Sequence, residues 1–140
     1  MIRLVIPGEP CGKLRARTFY DRRVGRVISK TPEKTKNYET FIRELFAAKY
    51  ESFPPLLGAV RLRVNIFRGI PKSVSNRQAG RMEATLVRPT TRPDASNVLK
   101  AVEDALNGLA FHDDSQIVEI LVQKYYSRTP RVEITLEGVS

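Results

Sequence analysis

Residues 92–117 read RPDASNVLKAVEDALNGLAFHDDSQI, and the chain is organised around them. Val98, Val102, Ala105 and Leu109 recur at i, i+4, i+7 and i+11, which makes one apolar stripe on a helix. Asn97, Lys100, Glu103, Asp104 and Asn107 fall on the opposite face. Arg92 precedes a proline and is expected to be extended. The helix is therefore expected to start just after Pro93, with Asp94 or Ser96 as its N-cap. Asn107-Gly108 is a natural stop. A Leu-Ala-Phe tract then leads to Asp113-Asp114. The order is carboxylate, helix, turn, carboxylate pair, with one lysine, Lys100, on the polar helix face.

The charge pattern sets this stretch apart from the rest of the chain. Lys and Arg number 24 against 15 Asp and Glu, a net charge of +9. Residues 1–92 hold 20 basic and 7 acidic residues, whereas residues 93–140 hold 4 basic and 8 acidic. A uniformly basic binding protein has little use for that division. An enzyme that holds a polyanion on a basic body and sets a divalent ion against it needs both parts.

Outward from the helix, residues 59–67 (AVRLRVNIF) alternate as a half-buried strand with a basic outer face. Residues 2–6 read as a short strand ended by Pro7-Gly8. Residues 8–36 are polar and basic, and read as a loop or loose hairpin around residues 21–23, with residues 26–29 as its second arm. Thr31-Pro32-Glu33 opens a helix expected to run to about Tyr50. Pro71 and Ser73 are expected to start a short helix to about Ala84. Residues 116–126 and 131–136 read as two strands, and the short turn between them predicts a hairpin. The fold expected is α+β: a small mixed sheet of about four strands with two or three helices packed on it, in one domain over residues 1–140.

Several function classes drop out on composition. No run of 18 apolar residues exists, so no membrane span is expected, and the polar start of the chain does not read as a signal peptide. A cytoplasmic protein is the expectation. Cys11 is the one cysteine and His112 the one histidine, which excludes an intrachain disulfide and multi-histidine or cysteine-based metal sites. A metal here must have oxygen ligands, which suits Mg²⁺ or Mn²⁺.

The acids allow such a site if an antiparallel return brings Asp113-Asp114 towards Asp94. Phosphodiester cleavage uses carboxylates of this kind, and Lys100 would set an ammonium against the developing charge. Plainer roles exist for each residue. Asp94 caps a helix, Asp113-Asp114 is a solvated turn, and Lys100 and Asp104 pair at i, i+4.

Pro93-Asp94-x-x-Asn97-x-x-Lys100, then residues 104–108 (DALNG), then residues 113–116 (DDSQ), resemble the RusA family of Holliday junction resolvases, which are often encoded in prophages. The resemblance is specific over residues 92–118 and extends more weakly to the opening strand and residues 70–73. It implies a small α+β homodimer that nicks four-way junction DNA symmetrically with Mg²⁺. By position it implies Asp94, Ser96 and Asp114 at the family's metal-binding acids, with Asp113 nearby, and Lys100 as the essential lysine. Asn97 and Asp104 are supporting residues. Ser96 departs from the family pattern, which has an acid there. Either the site runs with fewer acids, or Asp113, Asp104 or Glu103 takes over, or cleavage is impaired. The last case describes a basic, dimeric protein that binds branched DNA without cutting it well. A metal-dependent nuclease acting on RNA or flaps is a third reading. Lys13, Arg15, Arg17, Arg68, Lys72, Arg77 and Arg81 are the expected phosphate contacts, from the two basic segments.

Overall fold

The computed structural model describes residues 1–13, 17–30 and 33–140. Six strands and three helices follow in the order β1 (Ile2–Pro7), β2 (Arg17–Asp21), β3 (Arg26–Lys30), α1 (Glu33–Lys49), β4 (Val60–Gly69), α2 (Asn76–Glu83), α3 (Ala95–Leu106), β5 (Ile117–Ser127) and β6 (Arg131–Gly138). The α+β class is as expected. β2 and β3 form a separate antiparallel hairpin, so the loose hairpin read from the basic segment is there.

Period-2 alternation builds the main sheet. Ile2, Leu4 and Ile6 of β1, Val60, Leu62, Val64 and Ile66 of β4, and Val132, Ile134 and Leu136 of β6 are buried together. α1 closes this core with Ile42 and Phe46. α3 closes it with Val98, Val102, Ala105 and Leu106. The apolar stripe read from residues 98–109 is the face α3 buries, and Leu109 packs on the core just past the helix end. Gly108 makes the stop in the left-handed region (φ +81°), while Asn107 stays extended.

The sheet order is β1-β6-β4-β5, with β5 parallel to β4 and the other pairs antiparallel. This corrects the predicted β5–β6 hairpin. The two strands are antiparallel, but β4 lies between them, pairing Arg63 with both Leu121 and Thr135. The short connection spans two strand spacings across the end of β4, where Ile70 N–H donates to Ser127 O at 3.2 Å. The imperfect phase of residues 116–126 has the same cause. β5 is an edge strand, and none of its residues is fully buried. A second correction concerns α2. It starts at Asn76, not at Pro71 or Ser73, because the Ser75 side chain accepts from Gln78 N–H at 3.2 Å and caps it there. No helix among the described residues is long and apolar enough to cross a membrane.

Candidate active site

Parallel strands cannot be joined by a tight turn, so the chain between β4 and β5 must cross the sheet, and α3 is that crossover. Asp94 sits at its N-cap with extended backbone (φ −68°, ψ 144°), entered through a cis Arg92-Pro93 peptide. The carboxylate makes no capping hydrogen bond. The capping role therefore accounts for Asp94's backbone and not for its carboxylate. Asp94 lines a cleft of about 760 Å³ whose cations are Lys13, Lys34, Arg68 and Arg92.

The loop that delivers Asp94 is fastened to the sheet. Lys124 Nζ donates to Thr91 O at 2.7 Å, Arg68 Nη1 to Thr91 Oγ1 at 3.1 Å, and Arg88 Nε to Lys124 O at 2.8 Å. Burial holds the Lys124 ammonium below its usual pKa and Arg68 adds to that, with Asp94 opposing. The opposite wall is held by a close backbone approach. Lys13 N–H donates to Asn97 O at 2.9 Å. A Cβ on Gly12 would lie 2.9 Å from Asn97 Cβ and 3.1 Å from Pro93 Cβ, so a side chain there would push the wall off α3.

Lys100 lies two turns along α3, 3.4 Å from Asp104 Oδ1 and 3.9 Å from Asp114 Oδ2. Asp104 also pairs with Lys13, which stands 3.7 Å from Glu39 Oε1. Lys13 was expected on phosphate; its ammonium is committed to these two carboxylates, and its pKa is raised chiefly by the hydrogen bond to Asp104. Glu103 is beside the same group. Burial pushes its carboxyl up, Lys100 opposes, and Asp114 and Asp104 push it further up.

Asp113 and Asp114 do different things. Asp113 caps the 3-10 turn Asp114–Gln116, accepting from Ser115 N–H at 3.0 Å in a reciprocal capping box with Gln116. Hydrogen bonding from Ser115 holds its carboxyl below the usual range. Asp114 is left to face Lys100. Gln116 fixes the turn. Its Oε1 accepts from His112 N–H at 2.7 Å and Asp113 N–H at 3.0 Å, and its Nε2 donates to Leu56 O and Gly58 O, both at 2.9 Å.

The remaining predicted residues are spread more widely. Ser96 is exposed in the first turn of α3, and Asn97 lines the cleft. Lys72, Arg77 and Arg81 are exposed on and before α2, away from the cleft lining. Arg17 belongs to β2, and Arg15 lies outside the described residues. Lys34 and Arg92 belong to the two basic segments read as phosphate contacts, without being singled out there, whereas Lys124 and Thr91 were missed as site residues. Lys124, the one cation of β5, was the signal available for these last two.

A family model described as Endodeoxyribonuclease RusA matches residues 7–137. The chain belongs to the RusA endodeoxyribonuclease family. A protein of Bacillus subtilis (strain 168), the uncharacterized protein YqaN, is 39% identical over 141 residues, covering 99% of this chain and 97% of that protein. RusA membership supports a nuclease that resolves Holliday junctions, and the matched span takes in the cleft, Asp94, Lys100 and Asp114. Divalent-metal dependence is general among RusA resolvases. The donors here are hard carboxylate oxygens with Asp94 uncapped, which fits Mg²⁺ or Mn²⁺ held by few protein ligands with water completing the shell. They do not form a closed cage. Among the described residues no group of three or more His, Cys, Asp or Glu could hold a metal ion.

Proposed function

We propose that residues 1–140 are a single domain that works as a homodimer in the cytoplasm, cutting four-way DNA junctions by paired symmetric nicks with Mg²⁺. The observation that carries this reading is the uncapped Asp94 carboxylate in a cleft walled by Lys34, Arg68 and Arg92. A DNA phosphate entering the cleft meets those cations first, which positions the backbone without reading sequence. Asp94 and Asp114 would hold the divalent ion, with Asp113 next to them steadying the turn. When bound, that ion supplies an activated water and neutralises charge on the phosphate. Lys100 offers its ammonium to the phosphorane or the leaving oxygen, where its charge is worth most in the transition state. Asp104 and Asp114 hold that ammonium in place before DNA arrives. Two identical sites related by a two-fold axis suit a substrate of two-fold character.

The test is cleavage of synthetic four-way junctions with and without Mg²⁺, beside binding measured over a salt series. Symmetric, Mg²⁺-dependent nicks and a steep fall in affinity with salt are expected. A specific observation favours one other reading, that of a branched-DNA-binding protein with weak cleavage. Ser96 stands where RusA proteins carry an acid, and the described residues gather no three-acid group. Tight, salt-sensitive junction binding with no nicks at any Mg²⁺ or Mn²⁺ concentration would select that reading.

A further inference from the structure

An open sheet has two edges, and each edge offers unpaired backbone groups to another strand. The main sheet here ends in β1 on one side and β5 on the other. The β1 edge is blunted at its centre. Tyr50 Oη accepts from Arg3 N–H at 2.8 Å and donates to Arg3 O at 3.0 Å, and Lys49 Nζ donates to Arg3 O at 2.6 Å. The C-terminal half of β5 is covered as well. Arg88 takes Lys124 O, lies over the Tyr125 ring at 4.5 Å, and keeps residues 88–91 against the strand. That leaves residues 118–122.

This bare segment exposes apolar side chains on both faces, with Glu119 its one charge. Val118 is 59% exposed, Ile120 48% and Leu121 44%. A strand added at this edge takes its unpaired backbone groups and sets side chains beside those of both faces. Charge says which strand. The chain carries +9, so two copies repel across most of their surfaces. Beside residues 118–122, β4 carries Arg61 and Arg63 against Glu119 and Glu137, and Arg61 pairs with both acids, with Glu137 at 2.9 Å. An apolar, charge-balanced strand edge is complementary to itself, and a two-fold axis through it pairs the two copies antiparallel.

We infer that residues 118–122 of β5 pair with the same residues of a second copy, joining the two main sheets into one. This deepens the assembly part of the proposed function by naming the surface. It also places the parallel pair β4–β5, and with it the loop carrying Asp94, next to the two-fold axis.

Light scattering at micromolar concentration is expected to give twice the chain's 15.9 kDa for the wild type. The double variant Ile120→Lys, Leu121→Lys is expected to give 15.9 kDa with an unchanged circular dichroism spectrum. A second measurement covers the case in which that variant does not fold. In a Cys11→Ser background, Val118→Cys, Ile120→Cys and Leu121→Cys are oxidised in turn, with Val5→Cys on β1 as the control. A covalent dimer from at least one β5 cysteine and none from Val5→Cys is expected. A monomeric wild type, or a wild-type dimer with no β5 crosslink, overturns the inference. Junction cleavage measured on the same samples is a separate readout, so a wrong surface is distinguishable from a wrong activity.

Discussion

Lys124 Nζ donates to the Thr91 carbonyl at 2.7 Å, so a lysine of the edge strand holds the loop that presents Asp94. Lys124→Met keeps the aliphatic stem and removes the donor. Nick formation is expected to slow about tenfold, equivalent to about 1.4 kcal/mol, with junction affinity changed much less. Single-turnover rates beside equilibrium binding check this. An equal loss in both would make Lys124 a plain phosphate contact.

Asp94→Asn separates metal holding from helix capping. Losing a capping side chain costs about 1 kcal/mol, but the Asp94 carboxylate makes no such bond. The expected outcome is an unchanged melting temperature, retained junction binding and no cleavage. Full cleavage by the variant would remove Asp94 from the chemistry.

Gln116→Leu is expected to destabilise the fold by about 2 kcal/mol, since two of its four hydrogen bonds reach carbonyls across the chain and the others order the turn. Denaturant unfolding reads the stability. Cleavage measured well below the unfolding midpoint should also fall, because Asp114 is placed by that turn.

Glu39 gives a pH test. Burial raises its carboxyl above the usual range, Lys13 opposes, and one carboxylate oxygen is buried without a hydrogen bond. A raised folded pKa means that stability is greatest below the unfolded carboxylate pKa and is lost as pH rises through the folded one. Glu39→Gln should therefore raise the melting temperature at neutral pH. The gain should shrink to nothing as pH falls below the ordinary glutamate range. A gain that is the same at every pH would show that ionisation is not its source.

What could be read from sequence was what local pattern determines. The α3 stripe, the β4 alternation and the Gly108 stop are set by residues a few positions apart, and all three stand. Partner choice among strands is not local. β5 and β6 each look like a strand, and nothing between them reveals that β4, some fifty residues upstream, is inserted. The site divides in the same way. Asp94 at a helix start and Lys100 on the polar face follow from spacing. The commitment of Lys13 to Asp104, 91 positions away, and the clasp of Lys124 on Thr91 exist only once the sheet has formed.

The strand order also governs when this protein becomes a nuclease. β6 is made last of the six strands, yet it lies between β1 and β4. Until residues 131–138 are available, β1 has no strand to pair with and β4 has only the edge strand β5. A nascent chain that already contains Asp94, Lys100 and Asp114 thus has every residue proposed for cutting and no frame to hold them. Such long-range closure is slow compared with local helix formation. Cutting competence therefore arrives in one step, late in synthesis, and a chain truncated before β6 should be neither folded nor able to nick DNA.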